Sequence, residues 1–386
     1  MRRLAIVLLA WGLANHAPAN LSGGYESYSR NGGIAAPEDT SFAGLVARLS
    51  EEGGFFDSDN LVSNEATYLH VLGAMRELGV RGGAYIGVGP DQSFSYIAQI
   101  RPTVAYLIDI RRDNLLQHLW FKALFALASD RDEYLALMLG RPLPDAATFR
   151  GRPVEEVLAY LDSVPPSREY ASATARRVAD TIRGFGVPLT DVEYAAIASI
   201  QEAFVQSGLE LRFTSHNRPA RYFYPTLRDL IVERDLSGRQ ANYLVRNEDF
   251  AFVKDLHARN RIIPVTGDLS GPHALRAIGR DIAERGERVS AFYVSNVEFY
   301  LMRQGNFAPF AENAATLPRT PKSVVIRSLF GGLYRMDHPQ SVPGYFSTQI
   351  LQTLDSFVDE HENGGYRTYR DVVTKHAIDL RPAPRP

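Results

Sequence analysis

The sequence predicts an α/β fold: a Rossmann-like, doubly wound, mostly parallel sheet with a large helical insertion after the second strand. Three observations carry that expectation. A short apolar strand runs into the glycine pair of YIGVGPDQSFSYI (Tyr85 to Ile97). A second strand, VAYLIDI (Val104 to Ile110), has almost no polar interruption, as expected where both faces of a parallel sheet are covered. Strand and helix patterns alternate again after residue 245, beyond a long stretch whose apolar period is helical throughout.

The elements follow in order. Met1-Arg2-Arg3, the apolar run Leu4 to Ala14 and then Ala17-Pro18-Ala19 have the basic, apolar, small-residue order of a secretory leader. The alternative is a buried first helix or strand. The leader reading predicts export to a periplasmic or extracellular location with removal of residues 1–19. Residues 20–40, rich in Gly, Ser, Asn and Pro, read as a flexible linker. Phe42 to Leu49 and Tyr68 to Leu78 carry helical spacing, the second stopped by Gly79. Gly83 to Val88 is the first strand, Phe94 to Ile100 a helix ended before Pro102, and Val104 to Ile110 the second strand, which makes one βαβ unit.

From Asn114 to about Leu211 no strand-like run intervenes, so residues 114–244 are expected as a helical insertion roofing a cleft beside the sheet. Residues 41–113 and 245–386 then form the α/β domain. Its second part reads as helix Phe250 to Arg259, strand Ile262 to Thr266, helix His273 to Arg285, strand Val289 to Ser295, strand Ser323 to Leu329 and a final helix Ser347 to Glu360.

Bulk composition narrows the function. The 386 residues are 45% apolar, enough for a sizeable core, and the formal net charge is −2. No Lys/Arg stripe is present, so a nucleic-acid partner is not expected. The absence of cysteine excludes disulfides, thiolate nucleophiles and cysteine-ligated metal. No later apolar run is long and charge-free enough for stable membrane insertion, and the nine histidines have no metal-ligand spacing. There is no G-x-S-x-G elbow, Walker-type loop or H-E-x-x-H helix.

Four stretches are candidates for a small-molecule site. Gly87 and Gly89 stand where a chain leaving a strand must bend and let a ligand approach its backbone, and Asp109 ends the next strand 22 residues after Gly87, where a carboxylate meets ribose hydroxyls. The third glycine of a dinucleotide fingerprint is missing, which disfavours NAD; Asp91 would repel a pyrophosphate and suit an ammonium group. The alternative is a structural turn with Asp91 as helix cap and Asp109 as a surface residue. Gly267-Asp268, at the end of IIPVTGD, either meets an adenine amino group or caps the helix starting near Pro272. Ser295-Asn296-Val297-Glu298 either faces substrate at the same sheet edge or is a capped strand end with Glu298 in a helix's first turn. In RFTSHNRPARYFYP, Arg218 or Arg221 either recognises an anion over the cleft or is a solvated arginine of a packed connector. Glu65 and His70 lie near the first strand, but a capping role at Ser63 or Asn64 accounts for that stretch, and Arg327 inside the apolar strand VVIRSLF requires a buried partner.

Together YIGVG with Asp91, LIDIRRDNL with Asp109, Gly267-Asp268 and Ser295-Asn296-Val297 resemble the motifs of class I S-adenosylmethionine (SAM) methyltransferases over roughly residues 60–110 and 245–330. More closely, GVGPDQSFSYIAQIRP, DIRRDNLLQHL and VSAFYVSNVEFYL resemble a group of uncharacterised bacterial proteins, the LIC_10091 family. The methyltransferase resemblance implies SAM as cofactor. Gly87, Gly89 and Asp91 would hold its methionine part, Asp109 its ribose and Asp268 its adenine. Ser295 would join them, while Asn296 and Glu298 face the methyl acceptor. The alternative is an exported, non-catalytic small-molecule-binding protein on the same fold.

Overall fold

A computed structural model describes residues 41–145, 148–216, 218–334 and 336–381. The expected leader and the 20–40 linker lie outside the described residues. The chain runs through α1 (Phe42–Leu49), a 3-10 turn (Tyr68–Val71), α2 (Leu72–Glu77), β1 (Ala84–Gly87), α3 (Gln92–Ile100) and β2 (Val104–Asp109). Seven α-helices follow: α4 (Arg112–Leu127), α5 (Arg131–Leu139), α6 (Val154–Ser163), α7 (Arg168–Gly184), α8 (Asp191–Ser207), α9 (Leu227–Val232) and α10 (Asn247–Ala258). The sheet then resumes with β3 (Ile262–Thr266), α11 (Ala274–Glu284), β4 (Val289–Ser295), α12 (Val297–Gln304), α13 (Phe307–Ala315), β5 (Arg319–Leu329), α14 (Gly331–Tyr334), β6 (Thr348–Thr353), α15 (Leu354–Glu362) and α16 (Tyr369–Thr374).

The six strands form one sheet in the order β3-β2-β1-β4-β5-β6, parallel except for the antiparallel edge strand β6. This is a Rossmann-like, mostly parallel α/β sheet flanked by helices. Every residue of β1, and β2 from Val104 to Ile108, is buried, so helices cover both faces, which is why these strands are apolar without alternation. α4 packs on β2 and β3, α1 on β3, and α15 on β5. One continuous apolar core joins the sheet to the helical stretch, with Trp120, Phe121 and Phe125 of α4 fully buried.

One expected element is corrected. Ser347 to Glu360 is not one helix: Thr348–Thr353 pairs antiparallel with β5, and α15 begins only at Leu354. TQILQT is rich in β-branched residues and is buried on both sides, so it lacks the polar face that would mark a strand by alternation. Thr353 then ends the strand and accepts a hydrogen bond from the Ser356 N–H as the cap of α15. No helix among the described residues is long and apolar enough to cross a membrane.

Candidate functional site

Strand order reverses between β1 and β4, and in open α/β sheets ligands bind outside the carboxyl ends of the strands at that point. A cavity of about 160 Å³ opens there. Its wall takes residues from the ends of β2 and β4, from the turn after β1 and from the loop after β3, including Gly89, Asp109, Asp268, Ser295 and Asn296. Five residues predicted from separate motifs are thus brought to one pocket. Gly87, Asp91 and Glu298 do not line it.

The two glycines of the turn have different reasons to be glycine. A Cβ on Gly87 would lie 2.6 Å from the Tyr85 hydroxyl oxygen and 2.9 Å from Ser93 Oγ, so this position needs close approach. Gly89 has φ +80°, and its Cβ would meet only Asn60 Nδ2 at 3.5 Å, so there the backbone angle decides. The Gly89 carbonyl accepts hydrogen bonds from Asn114 Nδ2 (3.0 Å) and His118 Nε2 (2.9 Å), which tie the turn to α4. Burial lowers the His118 pKa from 6.5 to about 4 against the raising effect of that backbone bond, so the ring is a neutral donor at pH 7.

Asp91 turns away from the pocket. Its buried carboxylate accepts from the Tyr243 hydroxyl (3.2 Å), and burial pushes its pKa from 3.8 up to about 6. It stands at the start of α3 without capping it through its side chain. Asp109 is committed in part: Arg111 donates Nε to Oδ1 (3.1 Å) and Nη2 to Oδ2 (3.0 Å), while the Arg111 amide also donates to Oδ1 (2.9 Å). Arg111 Nη1 is held by the carbonyls of Ser58 (3.2 Å) and Asp59 (2.9 Å). Asp109 Oδ2, with one donor, retains capacity for a ligand hydroxyl.

Asp268 folds its own turn, Oδ1 accepting from Ser270 N and Oγ at 2.8 Å each. It does not cap α11. That role falls to Glu51, 222 residues before His273: its carboxylate accepts from the amides of Asp268 (3.0 Å), His273 (3.1 Å) and Ala274 (3.3 Å). A Cβ on Gly267 would fall onto that of Ala274, so Gly267 is a close-packing glycine. The segment from Glu51 to Asp59 lies over the ends of β2 and β3, held by Glu51 N to Thr266 O (2.9 Å) and Gly54 N to Ile110 O (2.7 Å). Neither Glu51 nor the pocket-lining Phe55, Phe56, Ser58 and Asn60 of this region carried a local sequence signal.

Ser295 ends β4 at φ +52°, an uncommon angle for a non-glycine residue and one that clusters at functional sites. Its Oγ donates to Glu65 Oε1. Asn296 donates Nδ2 to the Tyr334 hydroxyl (2.7 Å). Glu298 is in the first turn of α12 and forms a fully buried ion pair with Arg327 (2.5 Å), which supplies the partner Arg327 requires. Burial raises the Glu298 pKa against the lowering pull of Arg327. Among the described residues of the 212–225 loop only Phe213 reaches the pocket; Arg218 pairs with Asp57 and Arg221 stacks over Phe223 and Tyr224. Among the described residues no group of three or more His, Asp or Glu side chains is arranged to hold a metal ion.

Fold and site together define a doubly wound α/β protein with a pocket at its switch point. The chain belongs to the family described as a domain of unknown function (DUF7790), whose model matches residues 61–147 and 190–381. The break between the matched stretches carries α6 and α7. No curated protein matches the chain.

Proposed function

We propose that the pocket binds an adenosyl ligand, SAM being the one the motifs suit, in a methyltransferase-like protein. The observation that carries the reading is the convergence of Gly89, Asp109, Asp268 and Ser295 on one cavity at the strand-order reversal. Asp109 Oδ2 takes a ribose hydroxyl, Asp268 Oδ2 an adenine amino group, and the glycine turn lies along the remainder. Asn296 borders the space left for a methyl acceptor. Transfer between bound groups depends chiefly on in-line positioning, so a free catalytic base is not a requirement.

A second reading, an exported binding protein without chemistry, is favoured by two observations. The basic-then-apolar N-terminus has the order of a leader, and Glu298, expected to face the acceptor, is locked to Arg327. Calorimetry on the purified protein tests ligand binding, the element common to both. Micromolar binding of SAM and S-adenosylhomocysteine, weakened at least tenfold by Asp109→Ala, supports the adenosyl reading. No binding of either compound refutes it. Methyl loss from bound SAM in the presence of an acceptor separates enzyme from binder.

A further inference from the structure

Glu65 lies in the loop before the 3-10 turn and is 1% exposed, yet it forms part of the pocket wall. Its donors are all neutral. Ser295 Oγ donates to Oε1; Ser328 Oγ, Gln349 Nε2 (3.1 Å) and Gln92 Nε2 (3.5 Å) donate to Oε2. Other buried carboxylates of this protein have a guanidinium beside them: Asp281 has Arg285, Asp249 has Arg101 and Glu298 has Arg327. Glu65 has no ion-pair partner among the described residues. Asp91 shares that condition but faces Tyr243, away from the cavity.

A carboxylate taken out of water without an opposite charge is unfavourable unless something supplies that charge. A second observation points the same way. Gln92 is 4% exposed and lines the same pocket. Its amide nitrogen donates to Glu65 and to the Tyr293 hydroxyl, which fixes the orientation of the group, and its Oε1 has no partner. Glu65 also meets the Tyr293 hydroxyl, another neutral partner, so none of the groups around the carboxylate carries a positive charge. One corner of the pocket therefore holds an anionic acceptor with no cation beside it among the described residues, and next to it an amide oxygen with no partner.

We infer that Glu65 is the cation subsite of the pocket, taking a protonated amino group of the ligand with help from Gln92 Oε1. The inference rests on reading this cavity as a ligand site, and it transfers to Glu65 the ammonium-binding role that the sequence suggested for Asp91. The left-handed backbone of Ser295 belongs to the same device, since it aims Oγ at Glu65 Oε1 and holds the carboxylate against the wall.

The test compares S-adenosyl-3-thiopropylamine with 5′-methylthioadenosine by calorimetry, the first carrying an amino group the second lacks. A charge-assisted contact makes the amine bind roughly tenfold or more tightly to the wild-type protein. Glu65→Gln abolishes that gap and leaves methylthioadenosine affinity unchanged. Equal affinity of the two probes for wild type, or a gap that survives in a folded Glu65→Gln, overturns the inference while leaving the adenosyl reading intact. If Glu65→Gln does not fold, the wild-type comparison alone decides. If neither adenosine compound binds, the adenosyl reading fails, and thermal shift with agmatine and spermidine decides the subsite. A rise in wild-type Tm absent from Glu65→Gln upholds it, and no rise overturns it.

Discussion

Glu298→Gln separates a structural glutamate from one that faces substrate. The Glu298–Arg327 pair is sealed: the side chains are 1% and 0% exposed, and their contact is a 2.5 Å hydrogen bond from Arg327 Nε to Glu298 Oε2. Removing one partner of such a pair leaves the other charge buried, at a cost of about 3–5 kcal/mol. Here Arg327 Nη1 keeps its hydrogen bond to Gln352 Oε1 at 2.8 Å and its guanidinium the Phe357 ring at 5.1 Å, and the new amide still offers an acceptor, so the low end, about 3 kcal/mol, is expected. Replacing both residues by methionine removes both charges and restores stability to within about 1 kcal/mol of wild type, or above it. Urea denaturation at pH 7 reads these differences. A single variant within about 0.5 kcal/mol of wild type, or a double variant no more stable than the single, refutes the reasoning.

Two further outcomes follow from carboxylates elsewhere, one buried and one half-buried. Asp91 has its pKa raised from 3.8 to about 6 by burial, so between those values the folded chain holds a proton the unfolded chain has released, and stability is lost as pH rises through the window. Asp91→Asn should match wild type near pH 4 and exceed it by roughly 3 kcal/mol at pH 7, measured by urea denaturation across that range; a difference that does not change with pH contradicts this. Glu51→Ala removes the acceptor of three backbone amides at the start of α11 and the loop of Asp268, and should cost about 2–3 kcal/mol, with Glu51→Gln costing about 1 kcal/mol; an unchanged denaturation midpoint for the alanine variant would show that water replaces the carboxylate.

What the sequence made legible was local. β1 to β4 are short apolar runs bounded by glycine, proline or polar turns, and their limits are read within a residue or two because nothing distant changes where a buried strand stops. The convergence of Gly89, Asp109, Asp268 and Ser295 was legible for the same reason: in a parallel sheet all strands deliver their carboxyl ends to one edge. Side-chain direction was not. Asp91 could face the pocket or the helices, and the outcome depends on Tyr243, 152 residues on. Glu65 looked like part of a capping sequence because Ser295, Ser328 and Gln349 are 230 or more residues away. β6 reads as helix in the sequence because its polar residues, Gln349 and Gln352, are buried and hydrogen-bonded, so no alternation marks a strand face.

The charges around the cavity also argue about what it rejects. Its wall carries three carboxylates, Glu65, Asp109 and Asp268, and one guanidinium, Arg111. Arg111 is spent on Asp109 and on two carbonyls, which leaves Glu65 and Asp268 without a cation among the described residues. A phosphate about 5 Å from a carboxylate at an effective dielectric near 20 is opposed by about 3 kcal/mol per charge pair. The start of α3, the one helix N-terminus at the glycine turn, returns about 0.3–1 kcal/mol, or ~2 in a partly buried setting. Repulsion from two carboxylates exceeds that attraction, so a pyrophosphate is disfavoured by the pocket's own charges as well as by the missing third glycine. A ligand rich in hydroxyl and amino donors meets the opposite balance, since every uncommitted oxygen on the wall then gains a partner.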